Sequence, residues 1–312
     1  MSNSVLRLLP AWVVAASAVA AAASSPARAQ AIPPDPSIDQ RVQSLVRPGT
    51  PSRSDDEEAI LTGRDDIILM QKHHFFTLSG SVDLLDTTNA QLSPTDRISD
   101  RFLTANIGIR VATKLGGLVD VYAEAGLNTA RYFDQKSLNY VAAVGGVGMH
   151  VPVLSFDFDL GYTPVVVWDG DWRQRQLTQH RFAGSIGRGL RIGQRAFLRI
   201  SAGGERTEAN PSPFRNSAAT ASVSAIWIIA PRLSALISVR GARRWYDNYY
   251  EGLLGTRRRD WSLEGAVGIS WQVRPRVGID LRWAQTRNWS TSDVSRYDAG
   301  VGGLTLRTAF QF

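Results

Sequence analysis

The side chains able to do chemistry are few in kind. The 312-residue chain has no cysteine and four histidines, so thiol nucleophiles and disulfides are excluded. His73 and His74 are adjacent and point to opposite faces of an extended segment. His150 stands where a tight turn is expected, and His180 is followed by Arg181-Phe182 rather than by a serine two places on. None of the four has a nucleophile placed to form a dyad, so no enzyme is expected. Asp169-Gly170-Asp171 offers two carboxylates around a glycine. That spacing fits a solvated turn better than a Ca²⁺ loop, so no metal and no cofactor are expected. What remains is arginine and carboxylate. Arg110, Arg181, Arg199, Arg240, Arg282 and Arg307 recur along the chain, with Glu124 and Asp280 among the acids. Guanidinium groups grip carboxylate or phosphate bidentately, whether those belong to the protein or to a solute.

These charges sit in segments of period two. Leu103, Ala105, Ile107, Ile109 and Val111 alternate with residues that include Asn106 and Arg110. Leu154, Phe156, Phe158, Leu160 and Tyr162 alternate with Asp157 and Asp159. Similar alternation marks strands near Phe76–Leu84, Val119–Leu127, Phe182–Leu190, Ala196–Ala202, Ala221–Ile229, Leu233–Val239, Trp261–Val273 and Val277–Trp283. A glycine-rich strand near residues 138–151 has no clear register. The last strand carries Leu304, Leu306, Phe310 and Phe312, broken only by Thr308, which makes twelve. Such strands have one apolar and one wet face.

The connections alternate in length. Tight turns are expected at Gly116-Gly117, Val151-Pro152-Val153, Ile192-Gly193-Gln194, Ala230-Pro231-Arg232 and Arg274-Pro275-Arg276. Longer polar stretches fall near residues 86–101, 131–137, 169–176, 208–217, 247–258 and 290–296. Trp227, Trp271, Phe310 and Phe312 lie near the tight turns. Trp168, Trp245, Trp261, Trp283, Trp289 and Tyr297 lie near the long loops, giving two aromatic girdles.

In these features the chain resembles the bacterial outer-membrane β-barrel proteins. Their final strand commonly ends in phenylalanine and is read by the barrel-assembly machinery, a role the resemblance implies for Phe310 and Phe312. The expected fold is all-β: an antiparallel transmembrane up-and-down barrel of about 12 strands over residues 72–312, with a short N-terminal helical extension. Charges of both signs are costly in lipid and must face the lumen. If Gly116-Gly117-Leu118 closes a hairpin, Leu115 faces Val119, Arg110 faces Glu124 and Lys114 faces Asp120. One expectation is therefore a lumen filled by ion pairs. The other is an arginine track on strands six, seven, nine, eleven and twelve, with most inward acids on strands two to five. Small twelve-stranded channels for acidic oligosaccharides, similar in architecture, use such a track.

Residues 1–29 read as a cleaved secretory signal: Arg7, an apolar run, and Ala27-Arg28-Ala29 before Gln30. Residues 30–71 read as a periplasmic linker with two short helices, capped by Ser37 with Gln40 and Ser54 with Glu57. The stretch 37–63 is a candidate arm for a periplasmic protein partner. Loss of Arg7 and Arg28 with the leader leaves 33 basic against 28 acidic residues, too even a balance for nucleic-acid binding. Outer-membrane lipid and lipopolysaccharide are the expected surroundings, with Arg257-Arg258-Arg259 and the aromatic run Trp245–Tyr250 placed to meet phosphates and sugars. The functional expectation is a narrow porin-like channel for a small anionic solute. The alternative is a non-conducting barrel that partners a secretion, surface-assembly or polysaccharide-export system.

Overall fold

Alternation of apolar and polar side chains over more than ten residues leaves each strand with a face that must find lipid and a face that must find water. A closed sheet satisfies both and leaves no edge. The computed structural model describes residues 75–116, 119–251 and 256–312. They form twelve strands: β1 (Phe76–Thr87), β2 (Asp100–Leu115), β3 (Val119–Tyr132), β4 (Tyr140–Val153), β5 (Phe156–Asp169), β6 (Arg175–Ile192), β7 (Ala196–Asn210), β8 (Asn216–Ala230), β9 (Leu233–Glu251), β10 (Thr256–Arg274), β11 (Val277–Ser290) and β12 (Tyr297–Gln311). Each pairs antiparallel with its neighbours in sequence, and β1 pairs with β12 to close the barrel. The leader, the linker with its helical stretch 37–63, His73 and His74 lie outside the described residues.

The seam runs from Thr77 opposite Gln311 to Thr87 opposite Val301. Beyond it, the Phe312 amide donates to the Phe76 carbonyl (2.9 Å) and the Phe76 amide to the Phe312 carbonyl (3.4 Å). Their rings lie 5.9 Å apart. Gly303 sits against the Leu84 carbonyl of β1 so closely that no side chain fits there.

Two turns differ from expectation. Pro152 lies within β4, opposite Asp157, and the turn falls at Leu154-Ser155, with Leu154 at φ 59°. A proline this near a strand end removes only one ladder donor, so pairing continues past it. Of the polar stretch 247–258 the described residues are strand: β9 continues to Glu251 and β10 starts at Thr256, with a bulge between Arg257 and Arg259.

Candidate lumen site

The outer face is set by exposed apolar side chains, among them Ile107, Leu160, Phe182, Ile237, Val267, Leu281 and Leu306. Alternation then turns every candidate residue inward: Arg110, Glu124, Arg181, Arg199, Arg240, Asp280, Arg282 and Arg307 all fall on the lumen face. The register of β2 and β3 is the expected one, with Leu115 opposite Val119, Lys114 opposite Asp120 and Arg110 opposite Glu124.

Lys114 and Asp120 form an ion pair at 3.9 Å. Arg110 does not pair with Glu124; its guanidinium lies 4.3 Å over the Tyr122 ring. Bare backbone on β4 is the cause. Glu124 leans over Gly146 and Tyr122 over Gly148, places where a Cβ would collide with them. Both side chains lean toward β4, and the Tyr122 ring rather than the Glu124 carboxylate meets the Arg110 guanidinium.

Further round, Glu205 on β7 accepts from Arg181 on β6 and lies 3.9 Å from Arg244 on β9. Arg240 stands two inward positions below Arg244, with no hydrogen bond of its own among the described residues. Arg199 reaches across Gly187 to Asp159 (3.3 Å) and Asp157 (3.8 Å). His150 meets the same two carboxylates, Nδ1 at 2.8 Å from Asp159 and Nε2 at 3.6 Å from Asp157. His150 is therefore a lumen residue rather than part of a turn. Arg282 lies 3.6 Å from Glu264. Arg307 lies over Gly278 and donates to Asp280 (2.8 Å), Ser270 (3.1 Å) and Gln272 (3.0 Å).

The charges are paired locally and sorted globally. The arc β6–β12 carries Arg181, Arg199, Arg240, Arg244, Arg282 and Arg307 against Glu205, Glu264 and Asp280. The arc β1–β5 carries Asp83, Asp120, Glu124, Asp157 and Asp159 against Arg110 and Lys114. One wall is positive and the other negative. Sequence reasoning did not single out Asp83, which accepts from Thr104, from Asn106 (3.2 Å) and from Thr305 (2.6 Å), all uncharged. Its place opposite Thr104 and Thr305, on the polar positions of β1, was the available signal.

The outer mouth is packed. Phe102 stacks on Tyr132 at 4.7 Å, and Tyr140, Val165, Val167, Leu177 and Phe214 bury against them. Ala90, from the connection 88–99, joins this cluster. Across the mouth, Arg258 is 0 % exposed and holds Asp260 through bonds of 2.6–3.1 Å, with Ser290 donating to the same carboxylate at 2.6 Å. So Arg258 does not reach out with Arg257 and Arg259: it shares the inner face with Asp260. Tyr297 shares the inner face with Ala299 and pairs with Asn288, so it belongs to the mouth and not to a girdle. Trp283 lies mid-strand over Gly300 and Gly302, which leave a flat seat for the indole.

The Asp169 carboxylate accepts from the amides of Arg173 (2.7 Å) and Gln174 (3.1 Å), so it caps a turn. Among the described residues no group of histidines and carboxylates is arranged to hold a metal ion. His180 faces lipid and bonds Tyr162 Oη at 2.7 Å.

No family model and no curated protein sequence matches the chain. Among solved structures it is similar to an outer membrane channel from Pseudomonas putida F1. The identity is 10%, covering 77% of this chain and 97% of that one, with a TM-score of 0.52. That likeness shows the shared fold of outer-membrane barrels. Looser likenesses are a bacterial polysaccharide outer membrane secretin (9% identity, 78% and 100% covered, TM-score 0.45) and the NanC porin (8%, 73% and 98%, 0.44).

Proposed function

We propose that this barrel is a narrow outer-membrane channel that handles a small anionic solute and is closed at its outer mouth in the conformation described. One observation carries the reading: the sorting of lumen charge into a positive arc over β6–β12 and a negative arc over β1–β5. Charges that served only to fill the lumen have no need to segregate, because local pairs satisfy desolvation equally well in any order. A segregated wall in a low-dielectric passage raises the local anion concentration by about tenfold or more. Arg240 is the residue on which this depends most, since Arg199, Arg282 and Arg307 each lie within ion-pair distance of a carboxylate. The outward apolar band supports placement in the outer membrane, with lipid and lipopolysaccharide as surroundings. Phe310 and Phe312 are the proposed signal to the barrel-assembly machinery.

Planar-bilayer recording tests the reading. The wild type is expected to show a small conductance with anion preference, and Arg240→Ser with Arg282→Ser to reduce or invert it. Conductance with cation preference in the wild type removes the role of the arginine wall.

A second reading has its own support. Buried side chains crowd one side of the mouth, as a non-conducting structural or assembly barrel would use. Absence of any conductance in the wild type selects it. Neither reading includes an enzymatic step: His180 meets Tyr162 on the outward face, and among the described residues no carboxylate or serine bonds it to complete a relay.

A further inference from the structure

A different surface, on the outside of the barrel, has the makings of a binding site. Near the outer ends of β9, β10 and β11, Arg243, Arg259 and Arg287 interleave with Trp245, Trp261 and Trp289, all on the outward face. Trp261 stands opposite Arg243 on one side and opposite Trp289 on the other. The Arg243 guanidinium lies 5.2 Å from the Trp245 ring and 5.3 Å from the Trp261 ring, and that of Arg287 lies 5.1 Å from Trp289. The three arginines are exposed, and no carboxylate pairs with any of them among the described residues. Arg206, also outward, is different: Glu208 and Asp247 hold it at 2.6 and 2.5 Å.

The height of the patch follows from β10. Trp271 and Trp261 both face outward, and Trp271 pairs with Leu233 beside the periplasmic turn. Ten residues rise about 33 Å along a strand, and at a tilt of about 40° that spans about 25 Å, the height of the apolar band. Trp261 and Arg243 therefore lie at the outer boundary of the band. A guanidinium without a counterion is costly there, and stacking on tryptophan holds it in place without neutralising it. Arg243 and Arg287 are separated by one strand, a distance on the order of 10 Å.

We propose that this patch binds a bis-phosphorylated glycolipid of the outer leaflet. Arg243 and Arg287 each take one phosphate, Arg259 reaches the headgroup from above, and the indole faces receive the sugar rings. A phospholipid with one phosphate engages only one of the two arginines, so two phosphates on one rigid headgroup are the better match.

The test is native mass spectrometry of the full barrel in detergent, titrated with bis-phosphorylated lipid A, with its dephosphorylated form and with phosphatidylglycerol. The wild type is expected to retain the bis-phosphorylated lipid at least about tenfold better than either comparator. Arg243→Gln with Arg287→Gln is expected to abolish that advantage, Arg243→Lys with Arg287→Lys to keep part of it, and Arg206→Gln to leave it intact. Heat-modifiable gel mobility reports whether each variant has folded. Should the glutamine pair not fold, the wild type decides alone: raising salt from about 0.05 to about 0.5 M is expected to release the bis-phosphorylated lipid and not the dephosphorylated one. Equal retention of the three lipids, retention by the folded glutamine pair, or salt-independent retention overturns the proposal.

Discussion

Replacing Arg307 by methionine asks whether this arginine supports the barrel or serves a solute. Its guanidinium donates to Asp280, Ser270 and Gln272 across three strands. The side chains of Arg307 and Asp280 are 23% and 20% exposed. An exposed ion pair contributes about 0–1 kcal/mol, and removing one partner of a fully buried pair costs about 3–5 kcal/mol. A pair that is four-fifths enclosed lies between, so Arg307→Met is expected to cost about 2–3 kcal/mol. Part of that cost is the carboxylate left behind. Asp280→Asn added to Arg307→Met removes the stranded charge, and the double variant is expected to regain about 1 kcal/mol or more relative to additivity. The assay is reversible urea unfolding in lipid vesicles, followed by tryptophan fluorescence and analysed at constant slope. A cost within about 0.5 kcal/mol of zero, or an additive cycle, refutes the reasoning. Arg307 would then be free for a solute, and its replacement should alter ion preference as strongly as that of Arg240.

Three further outcomes are expected. The folded barrel should migrate differently on a gel before and after boiling, because closure by β1 and β12 leaves no edge from which detergent can unzip it; identical mobility would count against the fold. Deleting Phe312 should lower the yield of inserted barrel, since its backbone completes the seam with Phe76, and unimpaired assembly of the truncated chain would show that the terminus has no such role. Gly303→Val should prevent closure, since its side chain meets the Leu84 carbonyl of β1, whereas Gly265→Val, where nothing lies within 4 Å of a Cβ, should fold; equal yields from the two would refute the steric account.

Strand number, lumen face and the β2–β3 register were legible because period two leaves little freedom: a slip of one residue would put Arg110 and Glu124 into lipid. The same rule placed Arg258 with Asp260 and apart from Arg257 and Arg259, but a run of three like charges reads as one patch unless parity is counted. What the alternation does not carry is the sideways lean of a side chain. Glu124 opposite Arg110 implied a pair, and the glycines on β4 drew it away. Pairing across β6, as between Arg199 and Asp159, depends on Gly187 between them. The packed mouth was hidden for a similar reason: Phe102 and Tyr132 are partners across β2 and β3, but Leu177 and Phe214 reach them only around the curved wall.

That mouth has two unlike halves, which decides where a passage opens. Phe102, Tyr132, Tyr140, Val165, Val167 and Leu177 belong to β2–β6 and cannot withdraw without deforming the wall. Over β8–β12 a polar cluster is buried, Asn216, Arg258, Asp260, Asn288, Ser290, Ser292 and Ser295, with the Tyr246 ring 4.1 Å from the Arg258 guanidinium. Asp260 is its keystone, since Arg258 and Ser290 converge on it and Asn288 donates to it at 3.4 Å while reaching the Ser295 carbonyl at 2.7 Å. Polar groups released from such a cluster are satisfied by entering water, and apolar ones are not. The passage is therefore expected on the side of the arginine wall. Asp260→Ala removes the counterion of an enclosed arginine, at a cost of about 3–5 kcal/mol to the closed mouth. It should raise conductance while the barrel stays closed on a gel. Phe102→Ala on the opposite half should raise it far less, because the cavity it leaves is apolar and stays dry. If Phe102→Ala opens the channel and Asp260→Ala does not, the solute path lies against β2–β6 and the arginine wall is not its lining.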